Sequence, residues 1–269
     1  MKHYLVIKCG GSIYDKLTPS FFNTVCDIQK AGIYAPIIVH GGGPAISEML
    51  TNLAIPNRFC EGLRYTSQAV LDVAEMILCG SMNKQLVTQL QVAGGKAVGL
   101  SGMDGNLLTA QPINLEKLGF VGTIASVDPS LIQELCSKDF IPVISPSSAD
   151  KNGQHYNINA DQAAAAIAAA LQAKLCFISD VPGILVEHNG AQMQLTQVSD
   201  LEIETLIETK KISGGMIPKV MAAVESLKQQ VPEVVIVSGL APQSLVDYTN
   251  GQPVGTKIYL EEEPIHACQ

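Results

Sequence analysis

The fold is decided by the stretch Tyr4-Leu5-Val6-Ile7-Lys8-Cys9-Gly10-Gly11-Ser12, in which an apolar run ends in a lysine, two glycines and a serine. A short apolar run of this kind is typical of a buried strand, and the glycines predict a turn at its end. Glycines there let the backbone approach a ligand and direct N–H groups at an anion, and Lys8 adds a full positive charge. Alone, the pattern is also common in purely structural turns.

Five further apolar runs repeat the pattern between helical segments. They lie at 36–39, 97–100, 141–144, 175–178 and 234–237. This alternation predicts an α/β fold with a mainly parallel open sheet flanked by helices, whose ligands collect at the carboxyl ends of the strands. Helices are predicted over 66–92, with a serine or threonine cap, and over 159–171, which is rich in alanine. Residues 107–127 predict loops or a β-hairpin.

The composition excludes several classes of protein. Hydrophobic residues make up 47% of the 269 and charged residues 16%, so the chain is globular and not disordered. The net charge of −8 argues against nucleic acid or an anionic membrane as a partner. No apolar stretch reaches the roughly 20 residues of a membrane-spanning helix, and the N-terminal run is too short for an export signal.

The cysteines predict a reducing, cytoplasmic environment. Seven of them are scattered along the chain, the last being Cys268, and none forms a C-x-x-C pair. Lys8 is positioned to lower the pKa of the adjacent Cys9 thiol and make it reactive. A small packed side chain is the simpler interpretation of Cys9.

A second glycine turn, His40-Gly41-Gly42-Gly43-Pro44, follows the run at 36–39. Three glycines before a helix-starting proline leave free N–H groups at the positive end of a helix, which suits phosphate. The same H-G-G-G string marks the oxyanion hole of many esterases, but the nucleophile elbow that they need is only approached by Gly99-Leu100-Ser101-Gly102-Met103. A hydrolase is therefore a remote alternative. Walker A and G-x-G-x-x-G patterns are absent.

Two more polar segments lie next to helix starts. In Asn157-Ile158-Asn159-Ala160-Asp161 both asparagines point to the same side of an extended approach, and only one is needed as a cap. Ser213-Gly214-Gly215-Met216-Ile217-Pro218-Lys219 puts a lysine in a first helical turn, where it opposes the helix dipole unless an anion lies nearby. Ser179-Asp180-Val181-Pro182-Gly183-Ile184-Leu185 follows the run at 175–178.

These segments in this order, with Glu61-Gly62-Leu63-Arg64 among them, resemble the amino acid kinase family over residues 4–259, and most closely its members that phosphorylate N-acetyl-L-glutamate. The resemblance implies a three-layer αβα sandwich of the carbamate kinase type. It implies an N-terminal lobe, 1–173, for acyl-amino-acid binding and dimerisation, and a C-terminal lobe, 174–269, for ATP. The implied reaction phosphorylates the side-chain carboxylate of N-acetyl-L-glutamate with ATP, in arginine biosynthesis, with Mg²⁺ held mainly by the nucleotide.

The resemblance also assigns roles to residues. Lys8 and Lys219 match the lysines that stabilise the transferring phosphoryl group, and Asp161 matches the carboxylate that orients them. The substrate-binding positions are Gly42, Gly43, Arg64, Asn157 and Asn159. The phosphate- and ATP-binding positions are Gly10, Gly11, Gly41, Asp180, Val181, Pro182, Gly183, Ile184, Leu185, Lys211, Ile212 and Ser213. No metal-ligating side chain is implied.

Alternatives remain open at this level. An N-acylated 2-aminoadipate differs from the acetylglutamate acceptor by one methylene, worth only about 1–3 kcal/mol in a pocket, and relatives phosphorylate other acceptors. A nucleotide-binding protein without catalysis is disfavoured by the presence of Lys8, Asp161 and Lys219 together. The first strand begins almost at Met1, without the N-terminal helix of hexameric, feedback-inhibited members, so we expect a homodimer without arginine inhibition.

Overall fold

The strand that the opening stretch predicts lies inside an eight-stranded sheet. The computed structural model describes residues 2–188 and 191–261. Its strands are β1 (His3–Cys9), β2 (Tyr34–His40), β3 (Phe59–Cys60), β4 (Leu63–Arg64), β5 (Ala97–Ser101), β6 (Leu108–Pro112), β7 (Val121–Val127), β8 (Ile141–Ser145), β9 (Ser147–Ala149), β10 (His155–Ile158), β11 (Lys174–Ser179), β12 (Leu185–His188), β13 (Ala191–Gln194), β14 (Gln197–Ser199), β15 (Glu233–Ser238) and β16 (Thr256–Tyr259).

The helices connect these strands. They are α1 (Gly11–Tyr14), α2 (Pro19–Ala31), α3 (Gly43–Asn52), α4 (Gln68–Glu75), α5 (Asn83–Val92), α6 (Leu115–Leu118), α7 (Ser130–Ser137), α8 (Ala160–Leu171), α9 (Asp200–Glu208), α10 (Met216–Lys228) and α11 (Gln243–Thr249), with a π-helical segment (Met76–Met82) between α4 and α5 and a short 3-10 turn (Asp104–Asn106). None of the described helices is long and apolar enough to span a bilayer.

The large sheet has the order β14-β16-β15-β11-β1-β2-β8-β5, and the pairs from β15 through to β5 are parallel. Only β16 and β14 run against the others, since β15 pairs antiparallel with β16. β1 is fully buried at Leu5, Val6 and Ile7, as expected for a strand covered on both faces. The carboxyl ends of six strands therefore meet at one edge.

Alternation along β1 assigns its side chains to two cores. Leu5 and Ile7 pack with apolar residues of α2, α5 and α11, whereas Val6 packs with those of α7, α8 and α10 on the other face. The predicted three-layer arrangement of helix, sheet and helix is confirmed. A third apolar cluster joins α3, α4 and the π-helical segment beside the carboxyl edge.

The six strands predicted from the apolar runs are all present, and the helix predicted over 66–92 is confirmed. Ser67 caps it, with its side chain accepting from the N–H of Val70, and Gly94 follows its end with φ +84°. The middle of this helix departs from α geometry in the π-helical segment, which contains the glycine Gly80. Cys268 and the last eight residues of the predicted C-terminal lobe, 262–269, lie outside the described residues.

Residues 107–127 contain the predicted antiparallel pair, β6 and β7, although the short α6 between them was not foreseen. With β9 and β10 these strands close into a small four-stranded barrel. A sheet closed through residues far apart in the sequence leaves little local signal, because its pairing depends on tertiary contacts. The large sheet continues across the predicted lobe boundary, since β11 pairs with β1.

Candidate active site

The two glycine turns meet at the carboxyl edge because the strands before them are neighbours. Cys9 of β1 lies opposite His40 of β2, and the N–H of Gly41 donates to the Cys9 carbonyl. A Cβ on Gly11 would lie 2.9 Å from the Cα of Gly42. This approach admits no side chain at Gly11, so the glycine is required there.

The second glycine turn has fewer free N–H groups for an anion than the sequence predicts. The expectation that its glycines leave their N–H groups free is wrong for Gly41, whose N–H is bonded within the sheet. Gly42 is the N-cap of α3 and Gly43 is its first residue, and the first N–H groups of a helix have no preceding turn to accept them. Their N–H groups, at the positive end of the helix, are the ones suited to an anion.

Lys8 and Asp161 form an ion pair at the same edge. Nζ of Lys8, near the end of β1, lies 2.6 Å from Oδ1 of Asp161, and the two side chains are 13% and 25% exposed. The contact is close but lacks the alignment of a hydrogen bond. Asp161 is in the first turn of α8, and Asn159 caps that helix by accepting from the N–H groups of Asp161 and Gln162. The cap thus fixes the carboxylate relative to Lys8.

Lys219 reaches the edge from the first turn of α10, as predicted. Its Nζ donates to Oγ of Ser179, the last residue of β11, over 2.7 Å. Burial lowers the pKa of Lys219 and the positive charge of Lys8 lowers it further, while Asp180 and Asp161 oppose the shift. Lys219 is therefore a cation with a neutral hydrogen-bond partner, held within the field of a second lysine.

Two adjoining cavities open around these groups. The small cavity, about 160 Å³, is lined by Lys8, Lys219, Asp161, Ser179, Asp180 and neighbours from α1 and α10. The large cavity, about 360 Å³, is lined by both glycine turns, the β3–β4 hairpin and the segment 157–161. Lys8, Gly10, Ser12 and Asp161 line both. The lysine–aspartate pair therefore stands where the cavities meet.

A third cation, the Arg64 guanidinium, lines the large cavity but not the small one. Arg64, on β4, is buried and donates from Nη2 to the Gly43 carbonyl at 2.9 Å. Asn157, on β10, also lines the cavity and donates to the hydroxyl of Thr66 at 3.2 Å, which leaves its carbonyl oxygen and second N–H. An elongated molecule with an acidic group at each end matches this distribution of charge.

Of the residues predicted to bind ATP, some line the small cavity and others are buried away from it. Asp180 lines the small cavity and pairs with Lys16 at 2.8 Å, and this hydrogen bond is the main reason that the pKa of Asp180 is lowered. Ile184 is fully buried and both of its backbone polar groups are bonded, to Thr256 and Leu195. Ile184 therefore holds the segment in place and offers a nucleotide no free polar group in this structure.

The second predicted ATP segment, 211–213, lies between α9 and α10. Lys211 lines a separate cavity of about 280 Å³ between α9 and the β12–β13 hairpin, and the Ile212 side chain is buried in the core. Neither side chain lines the two cavities around Lys8. The structure therefore does not bring the side chains of Lys211 and Ile212 to these two cavities.

The Cys9 thiol and the His40 imidazole, both next to the glycine turns, are in their uncharged forms at neutral pH. Cys9 is buried in the core, as the interpretation as a packed side chain predicts, and burial raises its pKa to about 12 against the opposing charge of Lys8. Burial lowers the pKa of His40 to about 4, although its contact with the Gly41 carbonyl opposes this shift. His40 is therefore neutral at physiological pH, and its Nε2 lies 3.2 Å from Nδ2 of Asn83 on α5.

Sequence reasoning missed several polar residues at this edge. Ser12 lines both cavities, and Ser179 holds Lys219; each follows a predicted strand, so position alone could have nominated them. Ser47 and Asn57, which contact the Arg64 guanidinium, give no such signal because one lies inside a helix and the other in a loop.

Glycine turns, a helix start and convergent lysines at the carboxyl edge of a parallel sheet are typical of phosphate-binding α/β proteins. Comparison with known proteins makes this specific. The model of the amino acid kinase family matches residues 3–238. An acetylglutamate kinase of Geobacillus stearothermophilus is 50% identical over 258 residues, 96% of each chain. The chain belongs to the amino acid kinase family.

Solved structures agree on the fold. The crystal structure of smu.665 from Streptococcus mutans UA159 has a TM-score of 0.81 at 30% identity, over 96% of this chain and 99% of that one. Carbamate kinase from Giardia lamblia, bound to AMP-PNP, has a TM-score of 0.71 at 18% identity, over 97% and 99% of the two chains. The resemblance to the carbamate kinase fold that the motifs implied is confirmed.

Proposed function

We propose that this chain transfers the γ-phosphoryl group of ATP to the side-chain carboxylate of N-acetyl-L-glutamate. The observation that carries the proposal is the position of the Lys8–Asp161 pair where the two cavities meet, with Lys219 on one side and Arg64 on the other. Identity of 50% to an acetylglutamate kinase over nearly the whole chain supports the choice of acceptor.

The chemistry needs little from acid or base groups. A side-chain carboxylate, with a reference pKa of about 4.3, is already ionised at neutral pH and attacks without losing a proton. One of its oxygens bonds to the γ-phosphorus while the bond from phosphorus to the β–γ bridging oxygen breaks, giving an acyl phosphate and ADP. Positioning and stabilisation of charge therefore account for catalysis.

The residues divide this work by position. Lys8 and Lys219 stabilise the negative charge on the transferring group, and Asp161 orients Lys8 from 2.6 Å. Backbone N–H groups of Gly10 and Gly11, in the first glycine turn, add donors beside the phosphates. Gly10, Gly11, Gly41, and segments 180–185 and 211–213 belong to the ATP side of this proposal, with Ile184 and Ile212 supporting it from the core.

On the acceptor side, Arg64 binds the α-carboxylate, because a guanidinium matches a carboxylate in charge and shape. Gly42, Gly43, Asn157 and the free amide N–H groups of Asn159 hold the neighbouring polar groups. The Asn159 carbonyl oxygen is engaged in capping α8, so only its amide nitrogen is available to a ligand.

Mg²⁺ belongs to the proposal as a companion of the nucleotide. Within residues 2–188 and 191–261 no group of three or more His, Cys, Asp or Glu side chains is arranged to hold a metal. The nearest carboxylates, Asp161 and Asp180, are paired with Lys8 and Lys16. The donor set fits an ion that is held by ATP phosphates, where it would neutralise phosphate charge.

We extend the proposal to the roles of the two lobes, the assembly, the location and the pathway. Residues 1–173 bind the acyl-amino acid and contribute to a homodimer, and 174–269 bind ATP; the placement of Arg64 before the boundary and Lys219 after it supports this division. A cytoplasmic location is supported by the six free cysteines of the described residues. The acyl phosphate product would serve arginine biosynthesis.

The proposal is tested by trapping the acyl phosphate as a hydroxamate in reactions with ATP and Mg²⁺. N-acetyl-L-glutamate, N-acetyl-L-2-aminoadipate and free L-glutamate are compared at equal concentration. We expect the highest kcat/KM on N-acetyl-L-glutamate. Higher kcat/KM on the aminoadipate derivative, or no hydroxamate from any of the three, would contradict the proposal.

The acceptor side has its own test in Arg64→Ala. We expect KM for the acceptor to rise roughly 10- to 100-fold, because a hydrogen-bonded charge contact is lost, with KM for ATP little changed. Arg58→Ala is the matched control, since the Arg58 guanidinium lies over Tyr65, 4.6 Å from the ring centre, and does not line the large cavity. A rise in the ATP KM alone would reverse the assignment of the two sides.

A further inference from the structure

The Arg64 guanidinium rests in a set of neutral oxygens that we call the neutral cradle: the Ser47 hydroxyl, the Asn57 side-chain carbonyl and the Gly43 backbone carbonyl. Nη2 donates to Ser47 and Gly43 at 2.9 Å each, and Nη1 donates to Asn57. These bonds use at most three of the five guanidinium N–H donors. At least two donors remain for a ligand in the large cavity.

Two segments build the neutral cradle, and a third segment carries the cation. Ser47 lies on α3, Asn57 lies in the loop before β3, and Arg64 lies on β4. Nδ2 of Asn57 donates to the Ser47 hydroxyl at 3.2 Å, which fixes the two oxygens relative to each other. Phe59, opposite Arg64 in the β3–β4 hairpin, places its ring centre 4.8 Å from the guanidinium carbon. The cradle therefore defines one position for the cation.

The cradle holds a cation without neutralising it. No carboxylate of the described residues forms an ion pair with Arg64, although the residue is only 8% exposed. A buried charge without a counter-ion is costly, and burial lowers the pKa of Arg64 accordingly. Arginine stays protonated regardless, so the uncompensated charge favours an anion in the large cavity.

We propose that Ser47 and Asn57 are positioning residues that fix the Arg64 guanidinium while preserving its full charge for the acceptor's carboxylate. The inference rests on the proposed function, which supplies that acceptor, and extends it to two residues outside the predicted site. An aspartate at position 57 would keep the shape and the hydrogen bond. It would also bind the guanidinium more strongly and compete with the substrate.

The test compares Asn57→Asp with Asn57→Ala in steady-state kinetics. We expect Asn57→Asp to raise KM for N-acetyl-L-glutamate about 10- to 100-fold and Asn57→Ala about 2- to 10-fold, following the strengths of charged and neutral hydrogen bonds. KM for ATP should stay within about twofold in both. Asn52→Asp, an exposed asparagine on α3, is the control for added negative charge and should match wild type.

Thermal unfolding separates positioning from a merely structural role. The new ion pair of Asn57→Asp should leave the Tm equal to that of wild type or higher, although acceptor binding is weakened. Ser47→Ala should repeat the modest KM rise of Asn57→Ala, and Ser47→Thr, which keeps the hydroxyl, should restore the wild-type KM. A structural role would instead make KM follow the loss of Tm.

The outcomes distinguish the two levels of inference. If wild type forms no acyl phosphate from N-acetyl-L-glutamate, the proposed function fails and this inference fails with it. If wild type is active but Asn57→Asp raises the acceptor KM no more than Asn57→Ala does, the proposed function stands and the neutral cradle is refuted. A KM for ATP that rises as much as that for the acceptor would also refute it.

Discussion

The two edges of the large sheet both bring lysines to a carboxylate, but they satisfy those lysines differently. At the amino edge, Glu233 at the start of β15 contacts Lys174 at 3.0 Å and Lys257 at 2.7 Å, and accepts from the Tyr248 hydroxyl. We call this the amino-edge cluster. At the carboxyl edge, Lys8 is the single ion-pair partner of Asp161 among the described residues, and Lys219 donates to a serine hydroxyl.

The pKa shifts express this difference. Burial alone would raise the pKa of Glu233, but hydrogen bonds from Lys257, Tyr248 and Lys174 lower it to about 2. Such a shift means that the charged form is stabilised in the folded protein. At the carboxyl edge the shift falls on a lysine, whose charged form burial and Lys8 destabilise. The amino-edge cluster therefore stabilises the fold, whereas the carboxyl edge has a cation whose charge an anion would stabilise.

The largest expected effect that sharpens this contrast is on turnover. Lys8→Ala and Lys219→Ala should each lower kcat roughly 100- to 1,000-fold, because each removes a donor to the transferring phosphoryl group. Unfolding free energy should change little for Lys219→Ala, since the variant also removes repulsion between two cations. Lys257→Ala, at the amino edge, is the matched control and should retain wild-type kcat. Near-normal turnover in both site variants would contradict a catalytic role for the lysines of the carboxyl edge.

Glu233→Gln should produce the opposite pattern. We expect a loss of about 2 kcal/mol in unfolding free energy, because two lysines lose their counter-ion, with kcat close to wild type. The folded-state pKa of Glu233 lies below the unfolded value, so its contribution is complete above about 4.5 and is lost as the pH falls towards about 2. Urea denaturation across this range should show a smaller acid-dependent loss in the variant than in wild type.

The smallest expected effect is on the alkaline limb of the pH–rate profile. The lowered pKa of Lys219 means that its charge is lost at a lower pH than for an ordinary lysine, so kcat/KM should decline as the pH rises through that value. Lys219→Arg keeps the charge and should remove the decline, even if its geometry lowers the absolute rate. An alkaline limb that is unchanged in Lys219→Arg would assign the titration to another group.

The features that the sequence predicts are those set by short local patterns, such as the central strands and the glycine turns. Buried runs predicted the six central strands because both faces of each are covered, and glycine turns directly after two of them located the edge where ligands bind. The family motifs added Arg64, Asp161 and Lys219. Their convergence also depends on contacts outside the large sheet, because Arg64 lies on β4, Asp161 on α8 and Lys219 on α10.

What escaped prediction depends on contacts between distant segments. The neutral oxygens around Arg64 come from α3 and a loop, and neither Ser47 nor Asn57 departs from ordinary helix or loop composition. The bonded state of the Gly41 N–H required knowledge of the Cys9 carbonyl opposite it. The amino-edge cluster joins Lys174 and Glu233 through strand pairing that no local pattern specifies.

The most direct test of the contrast between the edges is the pKa of Lys219, measured by NMR titration of lysine side-chain carbons and assigned with Lys219→Arg. We expect a pKa below the ordinary lysine value of about 10.4 in the free protein, and a rise when ATP and Mg²⁺ bind, because the phosphates supply the missing anion. A pKa at or above the ordinary lysine value of about 10.4 in the free protein, or one that ATP leaves unchanged, would contradict an uncompensated cation at the carboxyl edge.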